Sequence, residues 1–408
     1  MKSSKSPIAV IFITVFIDLV SFGIVIPLLP FYAQEFGASG IMIGLLLSVF
    51  SLMAFLFMPI WGRLSDRMGR RPILLLTIAT SFVAYLIFST AGSLWMLFVA
   101  RILAGIANAN ISVAQAYISD VTTAEERSKG MGLIGAAFGL GFIFGPLISS
   151  VFSTDYFGDM KYVLPGYIAA GLCGINFLMA YFRLPESLKD EHRAAAGSMT
   201  LLDLPALRRA LTQPQLGRVI WMFGIVTVAF SSIYASMPLF IMEEPFHLSS
   251  SGMSWFFVEI GVISVIVQGG LIGKLTLLFG ERRLVVMGSS LMAIGLVGLP
   301  LSAYLPLMPM SGLIVATALL SMGSSCLAPS VMSLSSQLAD PSEQGSILGI
   351  TQSFASLARM VGPTIGGIAY DGFGHASPFY FAFATMVPAV WLGIGLLKFH
   401  PNKNHADK

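Results

Sequence analysis

Charge is what this sequence has least of. Asp, Glu, Lys and Arg supply 11% of its 408 residues, against roughly a quarter in soluble domains. With 56% hydrophobic residues, a large water-facing surface is excluded, and lipid is the expected solvent. Cysteine is nearly absent: Cys173 and Cys326 each sit in an apolar run without metal-ligand spacing, so they read as small core residues. Lys plus Arg exceed Asp plus Glu by only 23 to 20, and no long basic run occurs, which argues against nucleic acid as a partner. No GxxxxGK[ST] phosphate loop appears, which argues against ATP drive. No His/Cys/Asp cluster or serine nucleophile motif stands out either, so an enzyme is not expected, and no cofactor or metal is implied.

What is present is a series of long apolar runs. A membrane-spanning helix needs ~20 mostly apolar residues. Segments near 8–32, 41–61, 72–90, 94–117, 131–152, 163–183, 218–240, 252–273, 284–304, 312–337, 347–370 and 378–398 meet that need, giving twelve predicted spans. The first is preceded by Lys2 and Lys5 in the manner of a secretory signal. It continues through Asp18 to Pro30 with no small-residue cleavage site, so it reads as a retained span. The longest polar stretch lies between spans 6 and 7. It divides the chain into an N-terminal half at 1–183, a linker at 184–217 and a C-terminal half at 218–408. Lys and Arg concentrate on one side: with the N-terminus inside, only Lys161 falls outside, while Arg101 and Arg359 fall within spans. Both termini are therefore expected in the cytoplasm.

The two halves repeat one another. GRLSDRMGRRP after span 2 matches GKLTLLFGERR after span 8, with Gly69 and Gly280 each seven residues beyond Gly62 and Gly273. Gly145-Pro146 in span 5 and Gly362-Pro363 in span 11 stand equally far from Gly132 and Gly349. Duplicated halves of this kind are how many transporters generate two alternating states.

GRLSDRMGRRP resembles the signature loop of the major facilitator superfamily. DLVSFGIVIPLLP in span 1, RILAGIANANISVAQAYISD in span 4 and GLGFIFGPLISS in span 5 are similar to its drug:proton antiporter branch, in particular tetracycline-type efflux proteins. The likeness is dense over residues 8–150 and rests on topology, the degenerate loop and GPTIGG in the second half. Two departures stand out. The span 5 motif of that branch usually ends in Gly-Gly where this chain has Ser149-Ser150, and the acid usual in span 9 of tetracycline exporters is missing from Leu284 to Tyr304. The resemblance implies an all-α integral membrane protein, twelve transmembrane helices in two pseudo-symmetric six-helix halves, working as a monomer in a bacterial inner membrane.

A charge inside a span costs several kcal/mol unless paired or hydrated, so Asp18, Arg101, Glu259 and Arg359 are the functional candidates. At ~1.5 Å per residue, Asp18 lies ~15 Å in from the cytoplasmic end of span 1 and Arg101 ~10 Å in from the external end of span 4. Within a ~30 Å core that is one level, so the two are expected to meet. Glu259 and Arg359 likewise share a level in spans 8 and 11. Asp18 is expected to take up a proton outside and release it inside, with Arg101 holding its ionised form, because only an acid loses its charge on loading. The resemblance places an acid and an arginine at these two points. Glu259 is a second candidate for proton or cation binding, with a structural pair to Arg359 as the alternative.

Residues spaced i, i+4, i+7, i+11 and i+14 share a helix face, which aligns Arg101, Gly105, Asn108, Ser112 and Gln115 in span 4. With Gln268 in span 8 and Gln352 and Arg359 in span 11, these are the candidate cavity-lining residues. The alternative for each amide or hydroxyl is a hydrogen bond between helices. In the signature loop, Gly62 and Gly69 are expected to permit a tight turn. Asp66, Arg67, Arg70 and Arg71, extended by Asp120, Glu126 and Arg127, form a charge cluster. In the proteins it resembles, the loop's Asp engages the cytoplasmic start of span 11 and latches the halves in the outward-open state. Gly141, Gly145 and Pro146, with Gly362 and Pro363, read as close helix approach and a bend. The combined expectation is an antiporter exporting an amphipathic small molecule against protons. A symporter or facilitator for an organic anion, with Arg101 or Arg359 binding it, is the rival within transport. A membrane receptor without flux is the rival outside it.

Overall fold

A computed structural model describes residues 5–188, 204–243, 245–305, 308–339 and 344–398, without the side chains of 5–6, 124–132, 135, 204–207 and 344–346. Every described element is helical. Backbone amides in hydrocarbon have no water to bond, so each span must satisfy them internally, and the helix does so. Span 1 comprises Lys5–Val25 and Leu29–Glu35, and spans 2 and 3 are Gly40–Met68 and Arg70–Ser89. Span 4 is Leu94–Asn108 followed by Ile111–Val121, span 5 is Ala124–Phe152, and span 6 is Val163–Arg183. After a linker helix, Leu204–Thr212, span 7 is Leu216–Met242. Span 8 runs from Ser250–Ser264 through a π-helical segment, Val265–Leu271, into Ile272–Phe279. Spans 9 to 12 are Glu281–Ser302, Pro309–Leu338, Gln344–Phe373 and Ser377–Leu397.

Among the described residues, 10 helices are long and apolar enough to cross a membrane, or up to 11 when the bent pair Ala136–Phe152 and Asp155–Lys161 is counted as one. Twelve were expected. Gln344–Phe373 spans 30 residues but is less apolar, because Gln352, Arg359 and scattered Gly, Ser and Thr residues dilute it.

The helices gather into two compact units, Met1–Leu201 with Ser232–Val262 and Arg359–His375, and Leu202–Ser231 with Ile263–Ala358 and Ala376–Lys408. In the first, span 1 packs on spans 5 and 6, span 3 on spans 4 and 6, and span 2 on span 4. Val15, Leu19, Ile73, Leu74, Ile78, Val113 and Tyr117 form part of its apolar core. Spans 1 and 5 approach backbone to backbone: a Cβ on Gly145 would lie 2.6 Å from the Val20 carbonyl oxygen and 2.7 Å from Gly23 Cα, and one on Gly141 2.6 Å from Leu19 Cβ. Small residues permit that contact where lipid offers no hydrophobic drive for association. In the second unit, span 9 packs on spans 10 and 12, with Gly288 and Gly323 set against each other.

The repeated loops share a backbone device. Gly69 ends the span 2 helix at φ +103° and Gly280 ends the span 8 helix at φ +74°, a region that L side chains rarely enter. Gly62 has no such task. It lies inside Gly40–Met68 with open space where a Cβ would be, so the expected turn needs Gly69 alone.

Candidate transport site

Asp18 is half-buried on span 1. Its Oδ2 accepts from Asn110 Nδ2 at 2.6 Å, and its Oδ1 from Asn176 Nδ2 at 3.4 Å. Asn176, fully buried on span 6, donates the same Nδ2 to the Thr14 carbonyl at 3.2 Å. The expected meeting with Arg101 does not occur: no ion pair joins them, and the carboxylate is held by two carboxamides. The span 4 helix is interrupted at Ala109 and Asn110, and that break turns Asn110 towards span 1.

Arg101 is 2% exposed. Its guanidinium lies 4.2 Å from the Phe50 ring centroid and 5.9 Å from that of Phe22. Its Nε and Nη1 are buried without a hydrogen-bond partner among the described residues. Cation–π attraction to two rings offsets part of the cost of this buried charge.

The other candidates divide between the units. In the first, Asn108 is half-buried and Gln115 exposed, while Ser112 donates to the Met58 and Ala109 carbonyls at 3.1 and 3.0 Å. Ser112 therefore makes an interhelical bond, the alternative to a cavity-lining role. Glu259 is half-buried and Arg359 exposed in the same unit. In the second, Gln352 is exposed and so is Gln268, which sits in the π-helical segment of span 8. Single π turns inside α-helices occur often at functional sites.

The signature loop is tied into the first unit. Arg70 pairs with Asp66 one turn back, donates Nε to Asp120 at 3.2 Å and Nη1 to Ser65 Oγ at 2.7 Å. Glu186, at the start of the linker, accepts the backbone N–H groups of Arg70 at 2.8 Å and Arg71 at 3.2 Å. It thereby caps the positive end of the span 3 helix. Arg71 donates to the Tyr181 carbonyl at 2.7 Å, while Arg67 is exposed. Residues 340–343 just before span 11, the side chains of 344–346 at the cytoplasmic start that the loop was expected to engage, and those of Glu126 and Arg127 lie outside the described residues.

The ends of spans 5 and 11 make polar contacts that sequence reasoning missed. Asp371 accepts the Gly40 N–H at 2.9 Å and the Ile41 N–H at 2.8 Å, at the start of span 2. Below this cap the span 11 backbone at Pro363 and Gly367 closes on Gly44 and Gly40. Ser149 and Ser150, the departure from Gly-Gly, meet span 8: Ser254 Oγ donates to Ser149 Oγ at 3.1 Å, and Ser251 Oγ to the Ser150 carbonyl at 2.7 Å.

A bundle of long apolar helices, internally repeated and carrying a few enclosed polar groups, defines a multi-pass membrane protein. The chain belongs to the Major Facilitator Superfamily, whose family model matches residues 11–313 and 269–408; it is a transporter and not an enzyme. It is 30% identical over 372 residues to the class C tetracycline resistance protein of Escherichia coli, covering 90% of this chain and 89% of that one. It is 28% identical over 408 residues to multidrug resistance protein 2 of Bacillus subtilis (strain 168), covering 97% and 96%. Among solved structures, that of the human organic anion transporter MFSD10 matches with a TM-score of 0.68 and 22% identity, over 96% of this chain and 100% of the other.

Proposed function

We propose that the chain is a proton-coupled antiporter that exports an amphipathic, drug-like small molecule by alternating access. Its two repeated halves rock about the site, and its termini face the cytoplasm of a bacterial cell. The observation that carries the reading is Asp18, a carboxylate enclosed in span 1 and held by Asn110 and Asn176. Such a group can exchange its charge for a proton without a fixed cation competing for the site. The positive-inside distribution of Lys and Arg supports the orientation, and relatives named for tetracycline and multidrug resistance support drug export. Reconstitution in liposomes tests it, with tetracycline and a panel of cationic amphipathic drugs as probes. Drug addition should drive proton movement in the wild-type chain and not in Asp18→Asn; undiminished coupling in that variant overturns the proposal.

One observation favours a second reading, uptake or export of an organic anion. Arg101 holds two buried nitrogens, Nε and Nη1, without partners among the described residues, and a carboxylate or carbonyl oxygen of a substrate is the chemistry that would satisfy their N–H groups. The structurally similar human protein is named as an organic anion transporter. Transport of anionic but not cationic probes in the same liposomes decides for this reading.

A further inference from the structure

Asp18 has to be comfortable in two chemical forms. The ionised carboxylate only accepts hydrogen bonds, whereas the protonated acid carries an O–H that needs an acceptor of its own. An arginine partner serves the first form alone. Carboxamides serve both, and one of the two at this site has an acceptor to spare. Asn176 gives its Nδ2 to Asp18 and to the Thr14 carbonyl, while its Oδ1 is fully buried with no partner among the described residues. Thr14 Oγ1, on the residue whose carbonyl already binds this amide, is stranded in the same way. Two buried polar atoms are left unpaired, one on the residue that holds this carboxylate and one on the residue a helical turn before it.

We infer that Asn176 is the positioning residue that reads the protonation state of Asp18, turning its carboxamide from donor to acceptor when the acid is loaded. The inference rests on the proton-coupling reading above. A proton arriving from bulk water bonds to Asp18 Oδ1. The carboxamide then rotates, giving up the Thr14 carbonyl, so that Oδ1 of Asn176 accepts the new O–H. Asn110 keeps Asp18 Oδ2 in place throughout. On release the proton returns to water and the amide turns back. Asn176 sits on span 6 and Thr14 and Asp18 on span 1, so the hydrogen-bond exchange links protonation to the packing of these two helices.

Infrared difference spectroscopy of the full chain, acid minus neutral, needs no transported substrate. A carboxylic acid C=O band should appear on acidification and vanish in Asp18→Asn, which assigns it. In Asn176→Leu the band should move to higher frequency, as the acid loses its acceptor, and Asn176→Gln should restore it. Because a core substitution can misfold, wild-type chain with isotope-labelled asparagine supplies an independent reading: an asparagine amide band should appear in the same difference spectrum and disappear in Asp18→Asn. An Asp18 band of unchanged frequency in Asn176→Leu, with no asparagine band in the labelled wild type, overturns the role of Asn176 and leaves proton coupling standing. Absence of any Asp18 acid band across the pH range removes the proton-coupling reading itself, and this inference with it.

Discussion

The carboxylate of Asp371, near the end of span 11, caps the first turn of span 2 through the Gly40 N–H at 2.9 Å, with the Ile41 N–H at 2.8 Å beside it. The positive end of a helix and a carboxylate attract each other, and the two N–H groups have no partner within their own helix. Asp371→Ala should therefore cost about 1 kcal/mol and loosen this contact. A cysteine placed at Ala38, which is 8% exposed, reports it. Its labelling by a membrane-impermeant maleimide should accelerate in Asp371→Ala, and an unchanged rate would mean that the cap does not hold the two ends together.

The linker makes a comparable bond at the opposite end of the first unit. Glu186 caps the start of span 3 and also receives the N–H groups of Ser187 and Leu188, both at 3.0 Å. Glu186→Ala should lower stability by about 1 kcal/mol, and Glu186→Gln should recover part of it, since the amide oxygen still accepts. Thermal unfolding of the detergent-solubilised chain measures both. Equal melting of Glu186→Ala and wild type would reduce the contact to an incidental one.

The helices were legible because lipid imposes one requirement on every span, a long apolar run with self-satisfied backbone. The glycine repeat was legible because positive φ at Gly69 and Gly280 restricts those positions chemically. The partners of Asp18 were not. Depth along a span follows from residue count, and by depth alone Arg101 pairs with Asp18. Azimuth follows from an unbroken 3.6-residue period, and span 4 is broken at Ala109 and Asn110. A single helical stripe from Arg101 to Gln115 runs through that break and leaves Asn110 off it. Asn176 left a weaker signal, a lone carboxamide in the apolar run of span 6. Glu186 and Asp371 act through backbone N–H groups of distant helices, which no local pattern reveals.

The span 1 and span 5 contact gives a steric prediction. Both sides of it are backbone, so neither can rotate away from an added methyl group. Gly145→Ala places Cβ 2.6 Å from the Val20 carbonyl oxygen and 2.7 Å from Gly23 Cα, closer than carbon and oxygen tolerate. The helices must separate, at about 1–3 kcal/mol. By contrast Gly62→Ala meets open space and replaces glycine in a helix interior, so it should stabilise slightly, by about 0.5–1 kcal/mol. Melting temperatures that fall in the first variant and hold or rise in the second are expected; the reverse order would contradict the packing.

Arg101 tests whether shape or charge matters at the buried cation. Its guanidinium lies over Phe50 at 4.2 Å and is planar, so it stacks on the ring while directing N–H groups along its edge. A lysine ammonium is compact and more strongly hydrated, and it can do neither in the same place. If Arg101 serves only as a positive charge, Arg101→Lys should transport nearly as well as wild type. If the stack fixes the direction of its unpartnered Nε and Nη1, Arg101→Lys should fail as Arg101→Ala does, and Phe50→Leu should lose a smaller part, about 2 kcal/mol for the desolvated cation–π contact. Initial rates in liposomes, with the probe drug that the wild-type chain moves best, separate the two cases. The geometry predicts the second, and full activity in Arg101→Lys would refute it.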